Sequence, residues 1–418
     1  MNDTPKKILI LTADAGFGHR SAANAIANAL LETYGDSCQI ILSNPMDDKR
    51  TPFFVRDSQT DYDKIVRDMP ELYRFGYDAS DAALPAAIVE SALTVMLFEV
   101  MRDLITTHQP DVVVTTYPIY QAPLRAVFTI HRYRIPLLTV VTDLVTVHRM
   151  WFSSGVDAIL VPTEEVRTLA VHYGIKPEKI HITGIPVNTQ IIHETRPKAD
   201  IRKELGWNPN LLTILAVGSR RVEHLLDALN VINHIGTPLQ LAVAVGKDKD
   251  LYQTLKTIKW HVPVHLYEYV DFVPKLMLAS DLLICKAGGL IVTEALACKL
   301  PMILIDIIPG QETGNARYVV DGGAGELAQS PIELLETIAH WTMNHRKILT
   351  ERARAAEKLS RPRAAYDIAE LIWSTAKRKS EESNKQSKNR PHLIDLLTRF
   401  DITWQISSPE DDNKKDAQ

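Results

Sequence analysis

Lys286-Ala-Gly-Gly-Leu-Ile-Val-Thr-Glu294 and Pro309-Gly-Gln-Glu-Thr-Gly-Asn315 hold the residues of this chain best suited to chemistry. The first run reads as the end of a strand, a glycine turn and a helix bearing an acid. With no side chains at Gly288 and Gly289, backbone N–H groups can approach an anion closely at a helix N-terminus, where the dipole also favours negative charge. Glu294 falls one and a half turns into that helix, where a carboxylate can accept both hydroxyls of a ribose. An ordinary βα turn with a surface acid fits Gly-Gly alone equally well. The second run adds Gln311, Glu312 and Asn315 at the next strand end. Two polar loops at neighbouring strand ends of an α/β sheet suit a nucleotide that carries a sugar.

A second group of residues lies in the first half of the chain. Ala13-Asp-Ala-Gly-Phe-Gly-His-Arg20 joins the first strand to the first helix. Its Gly16-x-Gly18 lacks the third glycine of a dinucleotide fingerprint, since position 21 is Ser, and no acid ends the second strand. A nicotinamide cofactor is therefore not expected. His19 opens the helix, where the dipole lowers an imidazole's pKa and favours the neutral form. A neutral His19 can act as a base or donate to a substrate, which is favoured over a helix-capping role. Asp143 follows the apolar run Leu137 to Val141 and so projects at the carboxyl edge of the sheet, the edge that faces ligands in such folds. An Asp after a strand is often an N-cap, but Leu-Val-Thr-Val after Asp143 is poorly helical. His148 and Trp151 follow closely, either framing the same pocket or packing beside it.

The elements that position these residues fall into two α/β halves. Apolar strands at Ile8 to Leu11, Cys38 to Leu42, Val112 to Thr115, Leu137 to Val141, Ala158 to Val161 and His181 to Thr183 alternate with helices, the first from about Ser21 to Tyr34. The pattern stops at Gly184-Ile-Pro-Val187 and resumes at Leu212 to Val217. Strands follow at Leu239 to Val245, Val264 to Tyr267, Leu282 to Cys285 and Met302 to Ile305, with helices such as Val222 to His234 and Val273 to Ala279 between them. Apolar strands alternating with amphipathic helices predict parallel, doubly wound sheets. The expected units are 1–185, 186–377 (its final helix free to pack back on the first) and a mostly disordered, Lys/Glu/Ser/Asn-rich tail over 378–418. Within that tail His392 to Trp404 can dock as a short helix.

The 418 residues suffice for two ordinary domains, and the net charge of −4 argues against a general nucleic-acid binder. Three widely spaced cysteines fit a reducing compartment and offer no Cys-based zinc site. The N-terminus runs straight into a strand, so no signal peptide is expected, and no apolar run reaches the ~20 residues that cross a bilayer. Leu84 to Ile105 is strongly apolar but carries Glu90, Glu99, Arg102 and Asp103; it reads either as a helix lying on a bilayer or as a packed surface helix.

These residues carry a resemblance. Gly16-x-Gly-His19, Val140-Val-Thr-Asp-Leu144, Thr183-Gly-Ile-Pro-Val187, Lys286-Ala-Gly-Gly289 with Glu294, and Pro309 to Asn315 occur in the order found in the glycolipid-forming branch of glycosyltransferase family 28. That branch comprises plant and bacterial monogalactosyldiacylglycerol synthases and bacterial diacylglycerol glucosyltransferases, and the resemblance spans about residues 6 to 375. It implies a GT-B architecture, two Rossmann-like domains facing a cleft, with the lipid acceptor on the N-terminal side and a UDP-sugar on the C-terminal side. It also implies an inverting, metal-independent transfer of galactose or glucose to diacylglycerol, without a cofactor, at the cytoplasmic face of a membrane. Anionic lipids are a further candidate partner. Residue by residue it assigns Asp143 and His19 to catalysis, with Asp143 the preferred base, and Gly16, Phe17, Gly18 and His148 to the acceptor. Gly218, Ser219, Arg220, Val270, Lys286, Gly288, Gly289, Leu290, Glu294, Gln311, Glu312 and Asn315 fall to the donor, with Glu294 on the ribose and Gln311 and Glu312 on the hexose.

The chain departs from the family pattern at two places. The loop after the first strand of the second half is Val217-Gly-Ser-Arg-Arg221 rather than Gly-Gly-x-x-Gly-like, and Asn188 stands where relatives often have Arg. Arg220 or Arg221 is the expected substitute for a lost phosphate contact. Two other functions stay open from the sequence: the same transfer to another lipid, such as a polyprenyl-linked sugar, and a non-catalytic sugar-nucleotide binder or epimerase of similar build. The presence of His19, Asp143 and Glu294 together speaks against the latter. The resemblance's lipid acceptor favours insertion of apolar residues of Leu84 to Ile105, and of the Phe17 loop, at the membrane surface, with Arg102 among the head groups.

Overall fold

The computed structural model describes residues 4–15, 17–53, 56, 83–218, 222–308, 310, 312–343 and 346–383, with the backbone alone at 17, 83–89 and 379–383. Gly16, Ser219, Arg220, Arg221, Gln311 and the island His392 to Trp404 lie outside the described residues.

Two six-stranded parallel sheets form the frame. The first has the order β2-β1-β3-β4-β5-β6, from strands Lys6–Leu11 (β1), Cys38–Ser43 (β2), Val112–Thr115 (β3), Leu137–Val140 (β4), Ala158–Val161 (β5) and Ile180–Ile182 (β6). The second has the order β12-β11-β10-β7-β8-β9, from Leu212–Val217 (β7), Leu239–Ala244 (β8), Val264–Tyr267 (β9), Leu282–Lys286 (β10), Met302–Asp306 (β11) and Gly325–Leu327 (β12). Strands β3, β4 and β5 are buried along their whole length, because helices cover both faces of a parallel sheet; this is why they read as unbroken apolar runs. Strand order reverses between β1 and β3 in one sheet and between β7 and β10 in the other. At such reversals the loops leave toward opposite faces and open a crevice beyond the carboxyl ends of the strands.

Chain crossings between the halves occur at two places that touch. After β6, Gly184 takes φ +92°, and a Cβ there would meet Arg361 Cβ at 2.8 Å and Ala364 Cβ at 3.2 Å. The second crossing leads from the helix Lys347–Leu359 into the helix Ala364–Ser383, whose Ile368, Ala369 and Ile372 pack with Ile26 and Leu30 of the first half. Glu32, on the first helix, accepts from Thr189 Oγ1 at 2.8 Å and from the Tyr366 hydroxyl, tying both crossings to the N-terminal sheet.

Several boundaries differ from the sequence expectation for local reasons. The last helix runs on through Ser383, past the expected tail start at 378. The helix after β7 begins at Leu225 rather than Val222, because the His224 N–H is held by Asp306 Oδ2 at 3.2 Å. The helix Ala83–His108 contains the whole Leu84 to Ile105 segment, but Leu97, Met101 and Ile105 are core residues of the first half. Arg102 pairs with Glu99 and Asp103 at 2.5 and 2.9 Å. Half of this helix is therefore structural, and Arg102 is not a free cation for head groups. Val95 on its outer side is 79 % exposed. None of the described helices is long and apolar enough to cross a membrane.

Candidate active site

On the N-terminal side, three loops at the carboxyl ends of β1, β3 and β4 converge. His19 lies in the first turn of the helix Phe17–Tyr34. Its carbonyl accepts the Thr116 hydroxyl at 3.0 Å, and its Nδ1 pairs with Thr142 Oγ1 at 2.8 Å. The ring stands edge-on to Tyr117, centroids 4.8 Å apart, with Trp151 at 6.0 Å. Burial lowers its pKa to about 4. His19 is thus neutral, as the sequence suggested, but the principal cause is desolvation rather than the helix dipole.

Asp143 is the neighbour of Thr142, and its Oδ2 accepts the buried indole N–H of Trp151 at 2.9 Å. The backbone from Thr142 to Val147 is not helical, so Asp143 does not open a helix of its own. The capping task belongs to His148, whose Nδ1 accepts Met150 N–H at 3.2 Å and starts the short turn Arg149–Trp151. Asp14 clamps Arg20 through two hydrogen bonds of 2.8 and 2.9 Å.

On the C-terminal side the residues gather where strand order reverses. Gly218 follows β7, and a Cβ there would fall 2.3 Å from Leu225 Cδ2, which would have to shift. Lys286 ends β10 and pairs with Glu312, whose Oε2 accepts the Ile308 N–H at 3.0 Å. Gly288 caps the helix Gly289–Ala297, which carries Glu294. Glu294 is only 7 % exposed and its carboxylate has no hydrogen-bond partner among the described residues. Burial raises its pKa to about 7. Asn315 is also enclosed; Nδ2 donates to the Ala287 carbonyl at 3.0 Å, while Oδ1 is buried with no donor among the described residues. Buried polar groups left open in this way mark where a ligand would complete the bonding.

His224 and Asp306 were not singled out from the sequence. His224 Nδ1 meets Asp306 Oδ1 at 2.5 Å, and this bond raises the histidine's pKa. Asp306 ends β11 in register with Lys286 of β10. The signal available in the sequence was an acid directly after the apolar run Met302 to Ile305, the same signature that drew attention to Asp143.

The two sets meet at Thr142. Its hydroxyl holds His19, and its carbonyl lies 3.2 Å from where a Cβ on Gly289 would stand. A Cβ on Gly18 would touch Leu290 Cβ at 3.8 Å, and one on Gly314 would meet Thr146 N at 2.9 Å. The glycines thus let the carboxyl ends of the two sheets close on each other. Val270 follows β9, the edge strand of the second sheet, and packs against the same core cluster as Leu290.

Residues 19–187 match the family described as monogalactosyldiacylglycerol (MGDG) synthase, and residues 214–372 match the glycosyltransferase family 28 C-terminal domain. The chain is 33 % identical over 388 residues to the chloroplastic monogalactosyldiacylglycerol synthase of Spinacia oleracea, covering 88 % of this chain and 73 % of that one. It is 32 % identical over 378 residues to monogalactosyldiacylglycerol synthase 3 of Arabidopsis thaliana, covering 88 % and 81 %. Among solved structures, Acinetobacter baumannii MurG aligns with a TM-score of 0.58 at 18 % identity, over 88 % of this chain and all (100 %) of that one. A putative UDP-N-acetylglucosamine 2-epimerase from Listeria monocytogenes aligns at 0.59 with 16 % identity, over 93 % and 99 %. At such identities the structural likeness speaks for the shared fold alone.

Proposed function

Because the chain belongs to the monogalactosyldiacylglycerol synthase family of glycosyltransferases, we propose that it transfers galactose from UDP-galactose to diacylglycerol with inversion, giving a β-galactosyl-diacylglycerol. The observation that carries this reading is the meeting at Thr142. A neutral His19 and the carboxylate of Asp143 stand on one side, and open polar groups around a helix N-terminus on the other.

In the proposed step the acceptor hydroxyl attacks the anomeric carbon from the face opposite the diphosphate. The new C–O bond forms as the bond to the β-phosphate oxygen breaks, UDP leaves with that electron pair, and Asp143 takes the hydroxyl proton. The Trp151 indole N–H orients the Asp143 carboxylate for this task. His19, neutral at physiological pH because its pKa is about 4, suits positioning of the acceptor better than proton abstraction. On the donor side, Glu294 would accept the ribose hydroxyls. Lys286 and the N-terminal end of the helix Gly289–Ala297 supply positive potential for the leaving diphosphate, which a metal supplies in other transferases. We propose accordingly that no metal is needed. The protein would act from the cytoplasmic face as a peripheral enzyme, since a two-chain acceptor does not leave the bilayer readily.

The test is incubation of the purified protein with diacylglycerol vesicles and UDP-galactose or UDP-glucose, with and without EDTA, followed by product analysis. A β-galactolipid formed in EDTA is the expected product. A glucolipid would change the donor sugar, an α-linkage would overturn the inverting step, and loss of turnover in EDTA would overturn metal independence. Turnover of a polyprenyl-linked acceptor alone would move the lipid assignment.

A further inference from the structure

Lys286 ends β10, and its side chain folds back over the turn that follows: a Cβ on Gly288 would lie 3.1 Å from Nζ. Gly288 is the N-cap of the helix Gly289–Ala297. A cation whose side chain is 16 % exposed therefore sits at the positive pole of a helix, a place that neither the dipole nor desolvation favours. Among the described residues one carboxylate, Glu312, pairs with it. Lys286 Nζ donates to Glu312 Oε1, and the other oxygen of Glu312 is held by the Ile308 N–H at 3.0 Å. Without that carboxylate, the place consists of an ammonium group and the free N–H groups of a helix end, which together form a receptor for a strong anion. Asn315 adds the second sign of an unfilled site. Its Nδ2 would lie 3.7 Å from a Cβ on Gly289, and its Oδ1 is buried without a donor among the described residues.

We propose that Glu312 is a built-in stand-in for the donor's diphosphate: binding of a nucleoside diphosphate-hexose moves Lys286 from Glu312 to the phosphate oxygens, and the released carboxylate then accepts hydroxyls of the hexose. This exchange rests on the UDP-hexose reading above and extends it. It makes recognition of the sugar conditional on recognition of the diphosphate, because Glu312 is free only once Lys286 has left it. It also sets an order of affinities. UDP alone must break the Lys286–Glu312 pair and leaves a buried carboxylate with only the Ile308 N–H, whereas UDP-hexose fills that carboxylate. After transfer, the pair can close again as UDP departs, which favours product release.

Titration calorimetry with UDP and with UDP-galactose tests the exchange on wild type, Glu312→Gln and the double variant Lys286→Met/Glu312→Gln. In wild type UDP-galactose should bind more tightly than UDP. In Glu312→Gln, UDP should bind at least threefold more tightly than in wild type, since Lys286 is no longer engaged. The preference for UDP-galactose over UDP should fall at least tenfold. The double variant leaves no buried charge unmatched and should show the same lost preference, so it carries the test if Glu312→Gln folds poorly. Equal shifts for both ligands, as a purely structural ion pair would give, overturn the exchange while leaving the UDP-hexose reading in place. Failure of wild type to bind either ligand removes both.

Discussion

Replacing Glu294 with Gln should make the unliganded protein more stable at alkaline pH while weakening its hold on the donor. Glu294 is 7 % exposed, its carboxylate has no hydrogen-bond partner among the described residues, and burial raises its pKa from 4.5 to about 7. The folded state therefore binds this proton more strongly than the unfolded chain does. Stability from the group is fully present below the unfolded value of 4.5 and is lost as pH rises toward about 7. At 1.36 kcal/mol per tenfold change in proton affinity, the complete penalty is about 3 kcal/mol. Roughly 2 kcal/mol of it develops between about pH 5.5 and about pH 8. Gln carries no titrating charge, so the stability gap between variant and wild type should move by that amount over this interval. A fixed cost of burying the amide cancels in the difference. Thermal melts at the two pH values read it directly, at about 2–4 °C per kcal/mol for a domain of this size. Saturating UDP should flatten the pH dependence of wild type, because ribose hydroxyls would stabilise the ionised carboxylate at about 1.5–3 kcal/mol per bond. UDP affinity should fall at least tenfold in the variant. Parallel melting curves for variant and wild type at both pH values would refute the burial argument, and unchanged UDP affinity would refute the ribose assignment.

Other expectations follow from the same geometry. Asp143→Asn should lower kcat at least a hundredfold, within the ~10²–10⁴ that general-base loss costs, and leave UDP binding intact. His19→Ala should act mainly on acceptor KM, and the reverse pattern in steady-state kinetics would exchange the two roles. Asp306 raises the pKa of His224 above 6.5, so the stability their bond contributes is present below that value and is lost as pH rises through the raised one. The melting-temperature gap between wild type and His224→Asn should therefore be larger at about pH 6 than at about pH 9, and an equal gap would dismiss the pairing. Val95 and Ile130 are 79 % and 64 % exposed on helices that pack together. If both side chains enter lipid, each contributes about 1.5 kcal/mol or more, and Val95→Asp/Ile130→Glu should reduce co-sedimentation with vesicles at least tenfold; unaltered sedimentation would place the membrane contact elsewhere.

The sequence by itself determined the repeating strand and helix pattern, the position of the glycine turns and the acids at strand ends. Each of these is set by residues close in the chain: an unbroken apolar run such as Val112 to Thr115 stays buried only in a covered parallel sheet, and Gly288 and Gly289 permit close approach wherever the turn is placed. The tertiary structure alone decided which side chains those acids and glycines would face. His19 was expected to be neutral because of its helix, but the rings of Tyr117 and Trp151, brought from two other loops, are what surround it. Arg102 read as a cation for a membrane until Asp103 and Glu99 were seen to hold it. Glu312 read as a hexose ligand, yet in the folded chain it first balances Lys286, a residue 26 positions away. His224 and Asp306 stand 82 positions apart and meet only because β11 lies two strands from β7. Periodicity and turn chemistry are local and survive in the sequence. Charge pairing and desolvation depend on which strand ends the crossovers bring together, and that is fixed only when both sheets have closed around their cores.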